Sequence, residues 1–89
     1  MKVRLVGEKK VIDFSLQHAR TIADFNEWVY KVRSADWNSA DDIATSFHSA
    51  RIQKNEIVFD IGDTGFKIEC SYQINREIST FHLIVERVF

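Results

Sequence analysis

The sequence predicts an α+β fold in which an N-terminal strand and two to three helices pack on one face of an antiparallel meander sheet. Two periodicities predict it. Apolar residues recur at three- and four-residue intervals before position 50, as in helices, and at alternate positions after 56, as in strands. The chain has 89 residues, 45% of them apolar. That composition can build one core, so we expect a single domain over residues 1–89.

The first half of the chain contains one predicted strand and the helices. Lys2–Val6 alternates charged and apolar residues, and Val11–His18 has helical spacing. A longer helix follows, with its apolar stripe at Ile22, Phe25, Trp28, Val29 and Val32. A third helix is expected over Ala40–Phe47, because two aspartates in its first turn complement the helix dipole. We expect Trp28 and Trp37 to be core residues rather than base-stacking ones.

The second half of the chain predicts three strands. Glu56–Ile61 is a mostly buried strand, and Gly62–Gly65 supplies a turn. Phe66–Tyr72 alternates apolar and polar residues, as a half-buried strand does. Gln73–Arg76 is predicted to turn the chain into a last strand, Ile78–Val85. The helices should cover one face of this meander and leave the other face partly open.

The charge balance disfavours tight binding of free RNA. Twelve basic residues face thirteen acidic ones, and residues 1–50 carry seven of each sign. Proteins that bind nucleic acid by phosphate neutralisation normally have a basic surplus. We therefore expect no direct DNA binding, and any RNA contact must use a small local cluster or a larger partner.

The cysteine content and the N-terminus favour a cytoplasmic protein. Cys70 is the single cysteine, so no intramolecular disulfide can form, and we expect it to be a buried strand residue. The N-terminal residues are too charged for a signal peptide, and no apolar stretch approaches membrane-span length. We expect no membrane association.

Several short motifs of the sequence resemble those of the HigB-type toxins of the RelE superfamily. His18 opens one segment, Trp28 follows ten residues on, and Ala35-Asp36-Trp37 closes it. The similarity continues through Ser39-Ala-Asp-Asp-Ile43 and Phe47-His-Ser-Ala50, and resumes at Ile57-Val-Phe-Asp-Ile-Gly62. It covers roughly residues 10–85. The order and spacing of these motifs together make the resemblance specific, since no single motif is specific to the family.

This resemblance implies a fold, an activity and partners. HigB-type toxins share the RelE fold, and the family cuts messenger RNA, usually on the ribosome, without a metal. An antitoxin that often carries a helix-turn-helix silences them. The resemblance therefore implies a ribosome-dependent mRNA endonuclease that inhibits translation, with no cofactor. No His/Cys cluster at metal-ligand spacing is visible in the sequence.

The sequence departs from the family pattern at the positions expected to cut RNA. Lys67 stands where the family has an arginine. Glu86 and Arg87 stand where the family has Thr-His, so the expected imidazole and the tyrosine after it are missing. Two hypotheses follow. One is an active RNase, and the other is a catalytically inactive binding protein for a ribosome, antitoxin or host protein, for instance one of mobile-element origin.

The candidate catalytic residues are Lys67, His82 and Arg87. Metal-free cleavage needs a base for the ribose 2′-hydroxyl, a cation for the charged phosphorane and an acid for the leaving oxygen. His82 can transfer protons near neutral pH, whereas Arg87 can stabilise charge but cannot act as a base. Lys67 holds a phosphate as a point charge, and it is equally compatible with a solvated strand residue.

A basic segment after the third helix is the candidate RNA-binding site. It contains His48, Arg51 and Lys54, with no acidic residue before Glu56. We expect these three side chains to lie in a loop.

Overall fold

The computed structural model describes residues 1–89 and has an α+β fold, which confirms the predicted class. The strands are β1 (Lys2–Val6), β2 (Arg51–Gln53), β3 (Glu56–Asp60), β4 (Lys67–Asn75) and β5 (Thr80–Val88). The helices are α1 (Glu8–Gln17), α2 (Ile22–Arg33) and α3 (Ala40–Ser46), and a 3₁₀ turn at Ala19–Thr21 joins the first two. None of the helices combines the length and the apolar character needed to cross a bilayer.

The strands form one open sheet in the order β1-β5-β4-β3-β2. β2 to β5 are antiparallel neighbours, and β1 lies parallel to β5 at the edge. The predicted three-stranded meander is therefore incomplete, because Arg51–Gln53 forms a strand where a loop was expected. A three-residue strand with one apolar residue, Ile52, is too short to show a period of two in the sequence.

The turn between β4 and β5 lies later than predicted. Gln73–Arg76 was expected to turn the chain, yet β4 runs to Asn75 and the turn occupies residues 76–79. Ile74 explains the difference, since it packs against the core and pairs with Phe81 of β5. Burial of one apolar side chain thus outweighs the polar character of its neighbours.

Helix α1 begins at Glu8, three residues before the predicted start. Its first turn carries exposed or half-exposed charged residues, so hydrophobic spacing cannot reveal it. Gly7 makes the abrupt change from strand to helix with φ +86°, and a Cβ there would lie 3.2 Å from the Val85 carbonyl oxygen. Glycine is therefore required where β1 leaves the sheet.

The core lies between the helices and one face of the sheet. Helix α1 contacts β5 and α2 contacts β1, while Trp28 packs edge-on against Phe59 with ring centroids 5.3 Å apart. Trp28 and Trp37 are 3% and 1% exposed, so both are core residues as predicted. Cys70 is also buried as predicted, and burial raises the pKa of its thiol. The opposite face of the sheet carries no helix.

Candidate functional site

The open face of the sheet carries two groups of charged and polar side chains, one at each end of its long strands. Alternation along β4 turns Ile68 and Cys70 into the core and its odd-numbered residues outward. Ser71 is paired with Ile84 of β5 and Glu56 of β3, near the middle of this face. All three predicted catalytic residues lie on this face, but not together.

A β-bulge places Arg87 on the open face. Cys70 pairs with Val85 and Glu69 pairs with Arg87, so Glu86 is an extra residue in β5. Regular pairing would set Arg87 opposite the buried Ile68, and the bulge sets Val88 there instead. A charged side chain is thereby kept out of the core and reaches the surface beside Glu69.

The first group, which we name the Lys67 cluster, consists of Arg51, Asp60, Lys67, Glu69 and Arg87. Lys67 Nζ lies 3.0 Å from Asp60 Oδ1, and Arg51 donates to both oxygens of the same carboxylate at 3.3 and 3.4 Å. The hydrogen bond from Lys67, reinforced by Arg51, lowers the pKa of Asp60. One carboxylate therefore serves two cations.

Arg87 is held in the Lys67 cluster by two contacts. Its Nε donates to Glu69 Oε2 at 2.7 Å, and its guanidinium lies 4.0 Å from the centroid of the Phe89 ring. Beside it, Ser71 Oγ donates to Glu86 Oε1 at 2.6 Å. Every cation of the cluster thus already has a carboxylate partner.

His82 lies at the other end of the open face. It pairs with Gln73, four residues from Glu69 along β4, which corresponds to about 13 Å at the usual strand rise. It lines a shallow groove with Val6, Gln73, Ile74, Asn75, Arg76, Glu77 and Ile84. We name this the His82 groove. The imidazole is therefore too far from Lys67 and Arg87 to share one phosphate with them.

The three predicted RNA-binding residues do not form one patch. Arg51 belongs to β2 and is paired with Asp60, and Lys54 lies exposed in the β2–β3 turn. His48 instead lines a cleft between α2 and the loop after α3, with Asp24 and Glu27 on its walls. Strand pairing has brought Asp60 to a basic segment that looked free of acids.

Two residues of interest escaped the sequence analysis. Glu69 lies beside both predicted cations, and its alternation with Lys67 along β4 already placed it on their face. Arg4 lies next to His82 because β1 and β5 are parallel neighbours. No sequence pattern indicated that second pairing, since the two residues are separated by most of the chain.

Comparison with known proteins identifies the family of this chain. Residues 22–85 match the family described as HigB_toxin, the RelE-like toxic component of a toxin–antitoxin system. No curated protein matches the chain. The matched region includes α2, α3, β2, β3, β4 and most of β5, and thus most of the open face. A toxic component implies an antitoxin partner. This chain is a member of the HigB toxin family of toxin–antitoxin systems.

Proposed function

We propose that this HigB-family toxin inhibits translation by cutting messenger RNA on the ribosome, with the Lys67 cluster as the cutting centre. The observation that carries the proposal is the grouping of Lys67, Glu69 and Arg87 on an uncovered sheet face. A cation, a carboxylate and a guanidinium side by side can neutralise a phosphate and move a proton. The ribosome would align the RNA, so the toxin would not need an excess of positive charge, and its net charge is −1.

Each group of the cluster has a distinct task. Glu69 accepts the proton of the ribose 2′-hydroxyl, because it lies beside Arg87, whereas Asp60 is held by both Lys67 and Arg51. Arg87 stabilises the negative charge that develops on the phosphorane oxygens. Lys67 protonates the leaving oxygen, since an ammonium can release a proton and a guanidinium effectively cannot.

The reaction balances with these groups alone. The 2′-oxygen forms a bond to phosphorus as its proton passes to Glu69, and the bond from phosphorus to the 5′-oxygen breaks. The leaving 5′-oxygen takes a proton from Lys67. The products are a 2′,3′-cyclic phosphate and a 5′-hydroxyl, and solvent restores both side chains.

A specific observation favours a second candidate function. Arg51, Lys67 and Arg87 are each ion-paired within the chain, and no imidazole lies at the cluster. A phosphate would have to compete with Asp60 and Glu69 for these cations. Under this alternative the chain binds a ribosome, an antitoxin or a host protein on the same scaffold without cleaving RNA.

The proposal extends to partners and location. A helix-turn-helix antitoxin is the expected silencing partner, and the ribosome with its bound mRNA is the expected target. Both belong in the cytoplasm, and no direct contact with DNA is needed for this activity. A neighbouring gene for a small helix-turn-helix protein would support the pairing.

Induction of the gene, followed by mapping of mRNA 5′ ends, separates the two functions. An active toxin arrests growth and creates new 5′-hydroxyl ends, and Lys67→Ala with Arg87→Ala abolishes both effects. Arg33→Ala is the matched control, because Arg33 pairs with Glu8 at the same 2.7 Å on the helical side. Growth arrest without new ends would favour the binding function, and unaffected growth would reject the toxin proposal.

A further inference from the structure

The His82 groove is flanked by cations that have no carboxylate partner. Lys2 and Arg4 project from β1 on the open face, and Arg76 lines the groove from the β4–β5 turn. None of the three takes part in an ion pair, whereas Arg51, Lys67 and Arg87 all do. Asp36, which forms a β-bridge with Lys2, is paired with the ammonium group of Met1. These three cations are free to meet an anion.

The position of Arg4 places it at the groove. In the parallel pairing of β1 with β5, Arg4 is the partner of His82 and Val6 is the partner of Ile84. Neighbouring strands lie about 4.8 Å apart, so the guanidinium of Arg4 can reach over His82. Lys2 stands two residues further along the same face, about 6.6 Å away by strand rise.

The groove itself combines an apolar floor with amide donors. Val6 is 40% exposed and Ile84 is half-buried, so apolar surface is available between the cations. Gln73 and Asn75 line the opposite wall, and Asn75 spends only its Oδ1 on the turn, accepting from the backbone of Glu77 and Ile78. Glu77 is the one carboxylate among the lining residues.

We propose that the His82 groove binds single-stranded RNA, with Lys2, Arg4 and Arg76 contacting its phosphates and the floor contacting its bases. Single strands expose both groups at once, whereas a duplex hides the bases that an apolar floor would contact. The groove lies about 13 Å from the Lys67 cluster along β4, so it would hold the RNA beyond the bond that is cut. This inference rests on the proposed function for its choice of ligand.

The test measures binding separately from cleavage. The full chain is titrated into a fluorescent single-stranded RNA with 2′-O-methyl riboses, which cannot be cut, and anisotropy is followed at several salt concentrations. The variant Lys2→Ala/Arg4→Ala/Arg76→Ala should bind at least tenfold more weakly at low salt. Its plot of log affinity against log salt should flatten by about 0.7 per lost phosphate contact.

A matched control removes the same charge elsewhere. Lys9→Ala/Arg20→Ala/Arg33→Ala takes three cations from the helical side, where Lys9 and Arg33 are ion-paired and Arg20 is not. It should bind RNA within about twofold of wild type and keep most of the salt slope. Equal losses in the two triple variants would mean that net charge alone attracts RNA, and that result would overturn the proposal.

The outcomes distinguish this site from the cutting centre. If the wild type cleaves nothing but binds RNA, and only the groove variant loses affinity, the cutting centre is rejected and the groove proposal stands. Unimpaired cleavage and RNA affinity in Lys2→Ala/Arg4→Ala/Arg76→Ala would reject the groove and keep the cutting centre. Absence of RNA binding by the wild type at low salt would also overturn the groove.

Discussion

The two ends of the open sheet face carry opposite charge balances. Around the Lys67 cluster three cations face four carboxylates, namely Arg51, Lys67 and Arg87 against Glu56, Asp60, Glu69 and Glu86. Around the His82 groove three cations, Lys2, Arg4 and Arg76, face one unpaired carboxylate, Glu77, because Asp36 beside Lys2 is paired with the Met1 ammonium. A chain with a net charge of −1 can thus still present a basic surface. Under the two proposals above, proton transfer and RNA binding would therefore have separate locations on one sheet.

The largest expected effect comes from Glu69→Gln. Removing a general base should lower the cleavage rate on ribosome-bound mRNA by about 10²- to 10⁴-fold, while RNA affinity stays equal or rises. Glu56→Gln removes a carboxylate that lines the same surface depression as Glu69 but is not ion-paired with Arg87, and it should leave cleavage nearly unchanged. Single-turnover cleavage measures both. Equal rates in the two variants would remove Glu69 from the cutting centre.

Asp60→Asn should make the charge balance of the Lys67 cluster more like that of the His82 groove. It releases Lys67 and Arg51 from their shared carboxylate, so the Lys67 cluster becomes more attractive to phosphate. We expect affinity for uncleavable RNA to rise by roughly two- to fivefold at low salt, the scale of an exposed ion pair. Asp13→Asn, which releases Lys9 on helix α1, is the control and should change affinity little. A fall in affinity would contradict the comparison.

The pH dependence of stability gives a smaller signal at the same residue. Because the folded-state pKa of Asp60 is lowered, its stabilising contribution is complete above the unfolded value of about 3.9. That contribution disappears as the pH falls further through the folded value. The carboxylate is nearly one-third exposed, so the contribution should stay below about 1 kcal/mol. Urea unfolding should show a larger wild-type advantage over Asp60→Asn at pH 6 than at pH 3.

The smallest effect is expected from deletion of Glu86. Removing the extra residue eliminates the bulge and still leaves Arg87 opposite Glu69 and Val88 opposite Ile68. The cleavage rate should therefore remain within about threefold of wild type, a much smaller change than the loss expected from Glu69→Gln. Backbone amide shifts should change only near the bulge. Loss of cleavage in a folded deletion variant would show that Glu86 or the bulge itself contributes to the chemistry.

Much of the fold was predictable from the sequence, and the errors in the predicted elements have local causes. The long helix and the buried strand Glu56–Asp60 followed from burial of one side of each element, which leaves a strong periodic signal. Strand β2 escaped because three residues show no period. The predicted end of β4 was too early. Burial of Ile74 against the core stabilises the longer strand more than the polar residues around it favour a turn.

The candidate site was predictable only in part. The resemblance and the alternation of β4 indicated Lys67, and the extra residue in β5 brought Arg87 to the same surface. His82 was grouped with them as a third catalytic residue, although four residues of strand separate its partner Gln73 from Glu69. Whether these residues act in catalysis stays a prediction that the experiments above address.

The sequence alone determined the order of the helices and of the four longer strands, and it determined the family, because both depend on residue types at short spacings. The tertiary structure decided which cations are free. Arg87 meets Glu69 across 18 residues, and Arg4 meets His82 across 78. Such pairs depend on strand order, register and one bulge, which are set by burial of the opposite face of the sheet. Charge at the surface therefore follows from packing in the core.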